Sequence, residues 1–170
     1  RLSLGIQSFN PRHLKALGRI HDDAQARHAI GVAQANFERV NLDLMYALPQ
    51  QTLDEALADV NEALASGATH LSFYHLTLEP NTLFAKYPPA IPDDDSAFEM
   101  QDALIHRLNT AGLYRYEVSA FAKPNKGCRH NLNYWQFGDY LGIGAGAHSK
   151  LSFAHRVVRQ VRHRDPNLYM

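Results

Sequence analysis

Residues 40–52 read Val40-Asn41-Leu42-Asp43-Leu44-Met45-Tyr46-Ala47-Leu48-Pro49-Gln50-Gln51-Thr52, the pattern of a strand, its exit loop and the start of a helix. Side chains alternate between the faces of a strand, so Asn41 and Asp43 share the face opposite the leucines. A carboxylate on a buried strand is costly unless it is hydrogen-bonded. Asp43 is therefore either a structural residue, satisfied by backbone N–H groups or by Arg19, or part of a barrel interior that holds a polar ligand.

The flanking segments predict further strands and helices in alternation. Residues 1–7 alternate apolar and small polar side chains, and residues 70–78 are rich in aromatic and β-branched residues, which are both patterns of strands. Capping-box patterns, with Gln or Glu three positions after the cap, predict helices that start after Asp22 and Thr52. The first half of the chain therefore predicts a parallel α/β sheet.

Polar side chains recur on one face of the first and second predicted strands. Ser3, Gly5 and Gln7 alternate along the first strand as Asn41 and Asp43 do along the second. A closed barrel filled with layers of branched apolar residues lacks this pattern, whereas an open barrel with a ligand-filled interior accommodates it. Ligands of parallel α/β sheets bind at the carboxyl ends of the strands. The pattern favours a ligand site there over an isolated structural Asp43, and a plain parallel α/β module with no cofactor is a further alternative.

The second half of the chain is less regular. Residues 87–95 form a break rich in Pro and Asp, which suits the start of a helix. The expected buried face of that helix carries Phe98, Ile105 and Leu108. Residues 114–122 and residues 151–161 each have the character of a strand.

Composition excludes several classes of protein. Lys plus Arg equals Asp plus Glu at 17 each, so charge gives no indication of nucleic-acid binding. Cys128 is the only cysteine, which excludes an internal disulfide framework and a thiolate cluster built from this chain. No apolar run is long enough to cross a membrane. The chain starts without Met, directly in a strand-like segment, so we expect a piece of a longer protein.

The glycines Gly142, Gly144 and Gly146 do not have the spacing of a phosphate-binding loop. We expect them to permit close approach of the backbone to a neighbour or a ligand.

His130 stands apart from the other histidines, which lack metal-ligand spacing, because Asn131, Tyr134 and Trp135 adjoin it. An imidazole beside aromatic surface suits an iron porphyrin, since the nitrogen can ligate iron while the rings contact the macrocycle. The alternative is a histidine that anchors a loop, with Trp135 in the core. Cys128 is either an axial ligand or a small buried hydrophobic residue.

Several motifs occur in order along the chain, namely Leu4-Gly5-Ile6-Gln7-Ser8-Phe9, Leu17-Gly18-Arg19-Ile20-His21, Asn41-Leu42-Asp43-Leu44-Met45-Tyr46 with Leu48-Pro49, Tyr116-Glu117-Val118-Ser119 and His130-Asn131-Leu132-Asn133-Tyr134-Trp135. Together they resemble the radical SAM proteins related to oxygen-independent coproporphyrinogen III oxidase, in particular the HemW-type heme chaperones. The resemblance covers nearly the whole chain.

The resemblance implies an α/β fold, the C-terminal half of a partial (β/α)6 radical SAM barrel followed by a small α+β extension. Residues 1–90 correspond to strands 4–6 of that barrel with their helices, and residues 91–170 to a helix and the extension. In the family a 4Fe-4S cluster is held by a cysteine loop after the first strand, so its ligands lie outside this segment.

The resemblance also implies which residues contact S-adenosylmethionine. Gln7 and Asp43 correspond to residues that hydrogen-bond its ribose, and Arg19 to the partner of its methionyl carboxylate. Thr77 and His148 correspond to positions that line the same pocket. These roles fit the residue types. A carboxylate can accept hydrogen bonds from two adjacent hydroxyls, and a guanidinium forms an ion pair with a carboxylate.

In the heme chaperones the block that contains His130, Asn131, Tyr134 and Trp135 is associated with heme, with His130 as a candidate iron ligand. The resemblance implies a cytoplasmic protein that binds heme and transfers it to acceptor proteins, with peripheral contact with membrane acceptors but no nucleic-acid partner. The alternative is an enzyme, a coproporphyrinogen III dehydrogenase-like oxidoreductase that performs oxidative decarboxylation. No catalytic residue is assigned within this segment.

The chain departs from the family pattern at several positions. Ala47 and Gln50 replace glycines of the loop after the second strand, which we expect to limit that loop to ordinary backbone angles. Ala120 replaces a usual Asn, and Cys128 stands where Ser is common, which leaves an altered heme environment open.

Overall fold

The computed structural model describes all 170 residues. They form two compact units, residues 1–127 and residues 128–170. The division of the chain at residue 90 that the family resemblance implies stays a prediction.

The first unit is built on one five-stranded sheet of order β1-β2-β3-β5-β4. Its strands are β1 Leu2–Gln7, β2 Val40–Tyr46, β3 His70–His75, β4 Tyr114–Arg115 and β5 Ala120–Ala122. The first three are parallel, as the alternating pattern predicted, and β5 is antiparallel to both of its neighbours. The mixed α/β class is therefore confirmed, with an antiparallel pair closing one edge.

Helices connect these strands, and two of them start at the predicted caps. They are α1 Pro11–Ala16, α2 Asp23–Asn36, α3 Leu53–Ala65, α4 Leu83–Lys86 and α5 Asp94–Thr110. Both capping boxes are present: Asp22 caps α2 and Thr52 caps α3, each with a reciprocal bond from the third helical residue. These caps satisfy backbone N–H groups that would otherwise lack partners, so helix starts can be read from sequence here.

The two faces of the sheet differ in polarity. Leu42 and Leu44 of β2 and Leu71 of β3 are fully buried, and they belong to the core that Val60 of α3 and Leu108 of α5 also join. The other face carries the polar residues of the same strands. The core helices therefore pack on the leucine face, and the polar residues of the three parallel strands gather on the opposite face.

Three expectations about this unit are wrong. The third strand ends at His75 instead of continuing to residue 78, and residues 114–122 form two short strands instead of one. Phe98 is 64% exposed, because the inner face of α5 carries instead the smaller or more flexible side chains Ala97, Met100, Leu104 and Leu108.

The second unit contains a short helix and a hairpin. Its elements are α6 Arg129–Trp135, β6 His148–Phe153, β7 Arg156–Val161 and α7 Pro166–Tyr169. Residues 151–161, predicted as one strand, are two antiparallel strands joined by a turn. Lys150 is buried, and its Nζ donates to Phe137 O, Asp139 Oδ1 and Ser152 Oγ.

The glycine-rich segment packs its backbone closely against β6. A Cβ atom at Gly142 would lie 2.2 Å from the carbonyl oxygen of His148, so only glycine fits there. The predicted role of close backbone approach is confirmed for this residue.

No helix combines the length and the apolar character that a membrane crossing requires.

Candidate functional site

Asp43 lies in the middle of the polar face, where it is opposite Gly5 of β1. Ser3 Oγ donates to Asp43 Oδ2 at 2.7 Å, and Asn41 Nδ2 donates to Oδ1 at 2.7 Å. The partners of Asp43 are thus side chains of its own face, not Arg19 or backbone N–H groups. A carboxylate has about four acceptor positions, so each oxygen keeps capacity for a further donor. The half-buried carboxylate can accept two hydroxyl groups of a ligand.

Gln7, the last residue of β1, has a left-handed backbone conformation with φ +69°, and the pairing with β2 shifts register between Gly5 and Gln7. The Gln7 carboxamide folds back along the strand toward Gly5. This is shown by the distance of only 2.9 Å between Gln7 Nε2 and a Cβ atom built on Gly5. Since Gly5 is paired with Asp43, the structure brings Gln7 to the same face and to the vicinity of that carboxylate.

A hydrogen-bonded row runs across the polar face from Asp43 to the far side of the sheet. Asn41 Oδ1 lies 2.5 Å from His70 Nδ1 and accepts from Ser72 Oγ at 3.2 Å. His70 Nε2 lies 2.6 Å from the hydroxyl of Tyr116. The row therefore links β2, β3 and the segment between β4 and β5.

Burial of His70, together with the positive charge of Arg1, lowers the pKa of the imidazole to about 3. The ring, 2% exposed, is therefore neutral at ordinary pH. A neutral imidazole has one donor and one acceptor nitrogen. His70 can therefore accept a hydrogen bond at one ring nitrogen and donate one from the other.

The loop after β2 is strained in the same region. Ala47 and Gln50 both have φ +55°, so the expectation that loss of glycine restricts this loop to ordinary angles is wrong. The loop is held in place because Leu48 N–H donates to Gln51 Oε1 at 3.1 Å and Gln50 N–H donates to Ala90 O at 2.9 Å. Left-handed non-glycine residues cluster at functional sites, and three of the six in this chain, Gln7, Ala47 and Gln50, lie at the carboxyl ends of β1 and β2.

Arg19 and Thr77 are less firmly placed than Gln7 and Asp43. Arg19 is exposed, and only its backbone is anchored, through a hydrogen bond to Leu14 O. Two residues later, His21 Nε2 lies 3.2 Å from Ile6 O, which brings this loop to the end of β1. Thr77 is exposed after β3, and its hydroxyl donates to Glu79. The structure shows no contact of Arg19 or Thr77 with Asp43.

In the second unit, the predicted heme-associated residues lie on α6. His130 and Tyr134 are one helical turn apart, and their rings meet edge to face at 4.9 Å between centroids. The ring of His130 makes no hydrogen bond with another residue, and Trp135 is 61% exposed, so the alternative of a loop anchor with a core tryptophan is wrong. Asn131 is half-buried on the same helix.

His148, the remaining residue predicted for the nucleoside pocket, also belongs to the second unit. It is the exposed first residue of β6, where it pairs with Val161. Its assignment to the pocket stays a prediction.

The polar row includes three residues that were not predicted as site residues from the sequence: His70, Ser72 and Tyr116. His70 and Ser72 alternate along β3 just as Asn41 and Asp43 alternate along β2, and this was the signal available. Only the register between the two strands shows that they share a face. Tyr116 lies outside any regular strand, so alternation gave no signal for it, although it begins the motif Tyr116-Glu117-Val118-Ser119.

No group of three or more His, Cys, Asp or Glu side chains is arranged to hold a metal ion.

Comparison with known proteins gives a consistent assignment. No protein-family model matches the chain. The chain is 48% identical over 172 residues to the heme chaperone HemW of Escherichia coli, and the alignment covers 100% of this chain and 46% of that protein. It is 48% identical to HemW of Haemophilus influenzae, of which 45% is covered, and 36% identical to HemW of Bacillus subtilis, of which 45% is covered.

Along its whole length the chain is homologous to a segment of the HemW proteins. It spans just under half the length of the curated relatives that it matches. The resemblance to HemW-type proteins that the motifs predicted is therefore confirmed.

The fold is also found in a solved structure. Coproporphyrinogen III oxidase from Escherichia coli, described as a radical SAM enzyme, matches with a TM-score of 0.76 over 97% of this chain and 41% of that protein. At 19% sequence identity, this similarity establishes the partial radical SAM fold and nothing further.

Proposed function

We propose that the full-length protein is a cytoplasmic heme chaperone of the radical SAM type, which binds heme and transfers it to acceptor proteins, some of them reached by peripheral contact with a membrane. The observation that carries the proposal is the exposed imidazole of His130 on the same short helix as the exposed indole of Trp135. Solvent-exposed aromatic surface can contact the flat macrocycle of an iron porphyrin, and an imidazole that makes no hydrogen bond can ligate its iron.

The proposal includes S-adenosylmethionine as a cofactor of the first unit. The residues fit that molecule, because Asp43 keeps an acceptor position on each oxygen for the adjacent ribose hydroxyls and Gly5 leaves space that the Gln7 carboxamide uses. Arg19, an exposed residue of the loop that His21 anchors to Ile6 of β1, is the proposed partner of the methionyl carboxylate.

A 4Fe-4S cluster completes the proposed cofactor set of the full-length protein. Its thiolate ligands are assigned to residues outside this segment, because Cys128 is the only cysteine here. When bound, such a cluster supplies electrons to S-adenosylmethionine.

Titration of hemin into the full-length protein tests the heme site. We expect the Soret band to shift on binding to the wild type, and His130→Ala to weaken binding or change the spectrum of the bound heme. His155→Ala, in the exposed turn between β6 and β7, is the matched control and should bind as the wild type does. Identical binding and spectra for His130→Ala and wild type would overturn the role of His130.

A second candidate function is the oxidative decarboxylation of coproporphyrinogen III. The fold shared with the Escherichia coli oxidase favours it, although folds host more than one activity. Anaerobic incubation of the full-length protein with that substrate separates the two functions. Formation of protoporphyrinogen supports the enzyme, and its absence together with heme binding supports the chaperone.

A further inference from the structure

We propose that His70 and Tyr116 are positioning residues, which orient the Asp43 carboxylate through Asn41 so that it accepts a pair of adjacent hydroxyls. The inference rests on the proposed nucleoside site and adds to it the residues that give the site its selectivity for a ribose over a deoxyribose.

The hydrogen positions along the row follow from Asp43. An ionised carboxylate only accepts hydrogen bonds, so the Asn41 atom 2.7 Å from Oδ1 must be the amide nitrogen. The other amide hydrogen of Asn41 goes to Ser3 Oγ at 2.7 Å, and the Ser3 hydroxyl in turn donates to Asp43 Oδ2. One end of the row therefore fixes which way the Asn41 amide faces.

The same reasoning continues to the other end. Asn41 Oδ1 can only accept, so His70 Nδ1, 2.5 Å away, carries the ring proton. The ring is neutral, which leaves Nε2 as an acceptor, and the Tyr116 hydroxyl 2.6 Å away donates to it. Tyr116 thus donates to His70, His70 donates to Asn41, and Asn41 donates to Asp43. One arrangement of hydrogens satisfies these three hydrogen bonds.

This directed row sets the acceptor positions that Asp43 offers to a ligand. Each carboxylate oxygen already accepts one hydrogen bond within the protein, which prevents the group from rotating. One further acceptor position stays on each oxygen, and two acceptors on one carboxylate match two hydroxyls on neighbouring carbons. Loss of the Tyr116 hydroxyl would leave His70 Nε2 without a donor and allow the ring to change tautomer or orientation.

The deciding experiment measures the affinity of the full-length protein for S-adenosylmethionine and for its 2′-deoxy analogue by isothermal titration calorimetry. We expect Tyr116→Phe, which keeps the ring and removes only the hydroxyl, to weaken binding of S-adenosylmethionine by about three- to tenfold, the effect of one hydrogen bond. Affinity for the 2′-deoxy analogue should change little, so discrimination between the two ligands falls. Tyr114→Phe, an exposed tyrosine of β4, is the matched control.

A double-mutant cycle with Asp43→Asn shows whether Tyr116 acts through that carboxylate. In the Asp43→Asn background, Tyr116→Phe should have no additional effect on affinity, because the group that it positions is gone. Equal weakening of both ligands by Tyr116→Phe, or no effect on either, would overturn the inference. His70→Gln is a second test of the row, and Tyr116→Phe decides the matter if that variant does not fold.

The outcomes also separate this inference from the nucleoside site itself. If Asp43→Asn binds S-adenosylmethionine as tightly as the wild type, the proposed site is wrong. If Asp43→Asn loses binding while Tyr116→Phe keeps both affinity and discrimination, the site stands and only the positioning role is wrong.

Discussion

Ser8 and Asp59 form a buried hydrogen bond of 2.6 Å that joins the end of β1 to the middle of α3. The other oxygen of Asp59 accepts from the Phe9 backbone N–H at 2.7 Å. Burial raises the pKa of Asp59, with the two hydrogen bonds acting in the opposite direction. This carboxylate fixes the chain as it leaves the strand that carries Gln7.

Removal of Asp59 is expected to destabilise the first unit strongly. Asp59→Ala leaves the Ser8 hydroxyl and the Phe9 N–H buried without an acceptor, at a cost of about 2–4 kcal/mol in the free energy of unfolding. Urea denaturation measures the loss, and Asp54→Ala on the exposed side of α3 is the control. Ser8→Ala should cost less, and the double variant less than the sum of the two. Additive losses would show that the pair does not act as a unit.

Stability should fall as the pH is lowered from about 6.5 toward 3 because His70 is held neutral in the fold. Its pKa is about 3 in the folded protein against 6.5 in the unfolded chain, so the unfolded state binds the proton first. The stabilisation is complete above pH 6.5 and is lost at up to about 1.4 kcal/mol per pH unit below it. His70→Asn should be less stable at pH 7 but show a flatter dependence on pH in urea denaturation. His106→Asn, on the exposed face of α5, is the control. If the free energy of unfolding of His70→Asn falls with pH as steeply as that of the wild type, His70 is not the source of the pH dependence.

Glycine is expected to stabilise the loop after β2. Gln50→Gly removes a left-handed strain of about 1–2 kcal/mol but adds conformational freedom to the unfolded chain, so it should gain about 0.5–1 kcal/mol. Ala47→Gly relieves the same strain but also removes a buried methyl group, worth about 0.8 kcal/mol, so its stability should change little. Gly67→Ala is the reverse control, since Gly67 has φ +80° and open space around its Cβ position. It should lose about 1 kcal/mol. Thermal unfolding midpoints decide the signs.

Gly5→Ala should weaken nucleoside binding while leaving stability almost intact. The new methyl group would lie 2.9 Å from Gln7 Nε2, the end of a flexible side chain, which can move away. We expect affinity for S-adenosylmethionine to fall about fivefold or more, the effect of about one hydrogen bond. Gly31→Ala, on α2 with no atom near its Cβ position, is the control and should bind normally. Normal binding by Gly5→Ala would show that the position of Gln7 is unimportant.

Cys128→Ser should stabilise the first turn of α6. Cys128 is the N-cap residue of this helix but makes no capping hydrogen bond, whereas serine is among the preferred caps. We expect a gain of about 0.5–1 kcal/mol in the local stability of the turn that contains His130. Amide hydrogen exchange in α6 measures it, and unchanged protection would rule out capping by the new hydroxyl.

Sequence predicted those parts of the fold that depend on local chemistry. The capping boxes at Asp22 and Thr52 and the alternation along β1 and β2 are signals carried by neighbouring residues, and the structure has each of them. Phe98 was misplaced because the angular position of α5 depends on distant packing partners, which periodicity alone does not identify. The helical form of residues 129–135 was also not predicted, since its N-cap lacks a typical capping side chain.

The candidate site likewise has one part that could be predicted from local sequence and another part that depends on tertiary contacts. Asp43 stood out because a carboxylate interrupted an apolar strand, but its link to His70 depends on the pairing of β2 with β3. Tyr116 is 46 residues from His70 in sequence, and only the antiparallel closure by β5 brings the two together. Contacts of this kind arise from tertiary structure and leave no local trace.

The hydroxyl of Tyr116 belongs to the row that begins at the proposed ligand site, and it lies in an irregular segment instead of a strand. If the row orients Asp43 as proposed, thermodynamic linkage requires that a ligand which favours one orientation of Asp43 also favours the matching conformation of that segment, by the same factor in both directions. A molecule that binds residues 116–119 from the solvent side would then change the affinity of the protein for the nucleoside without contacting the nucleoside.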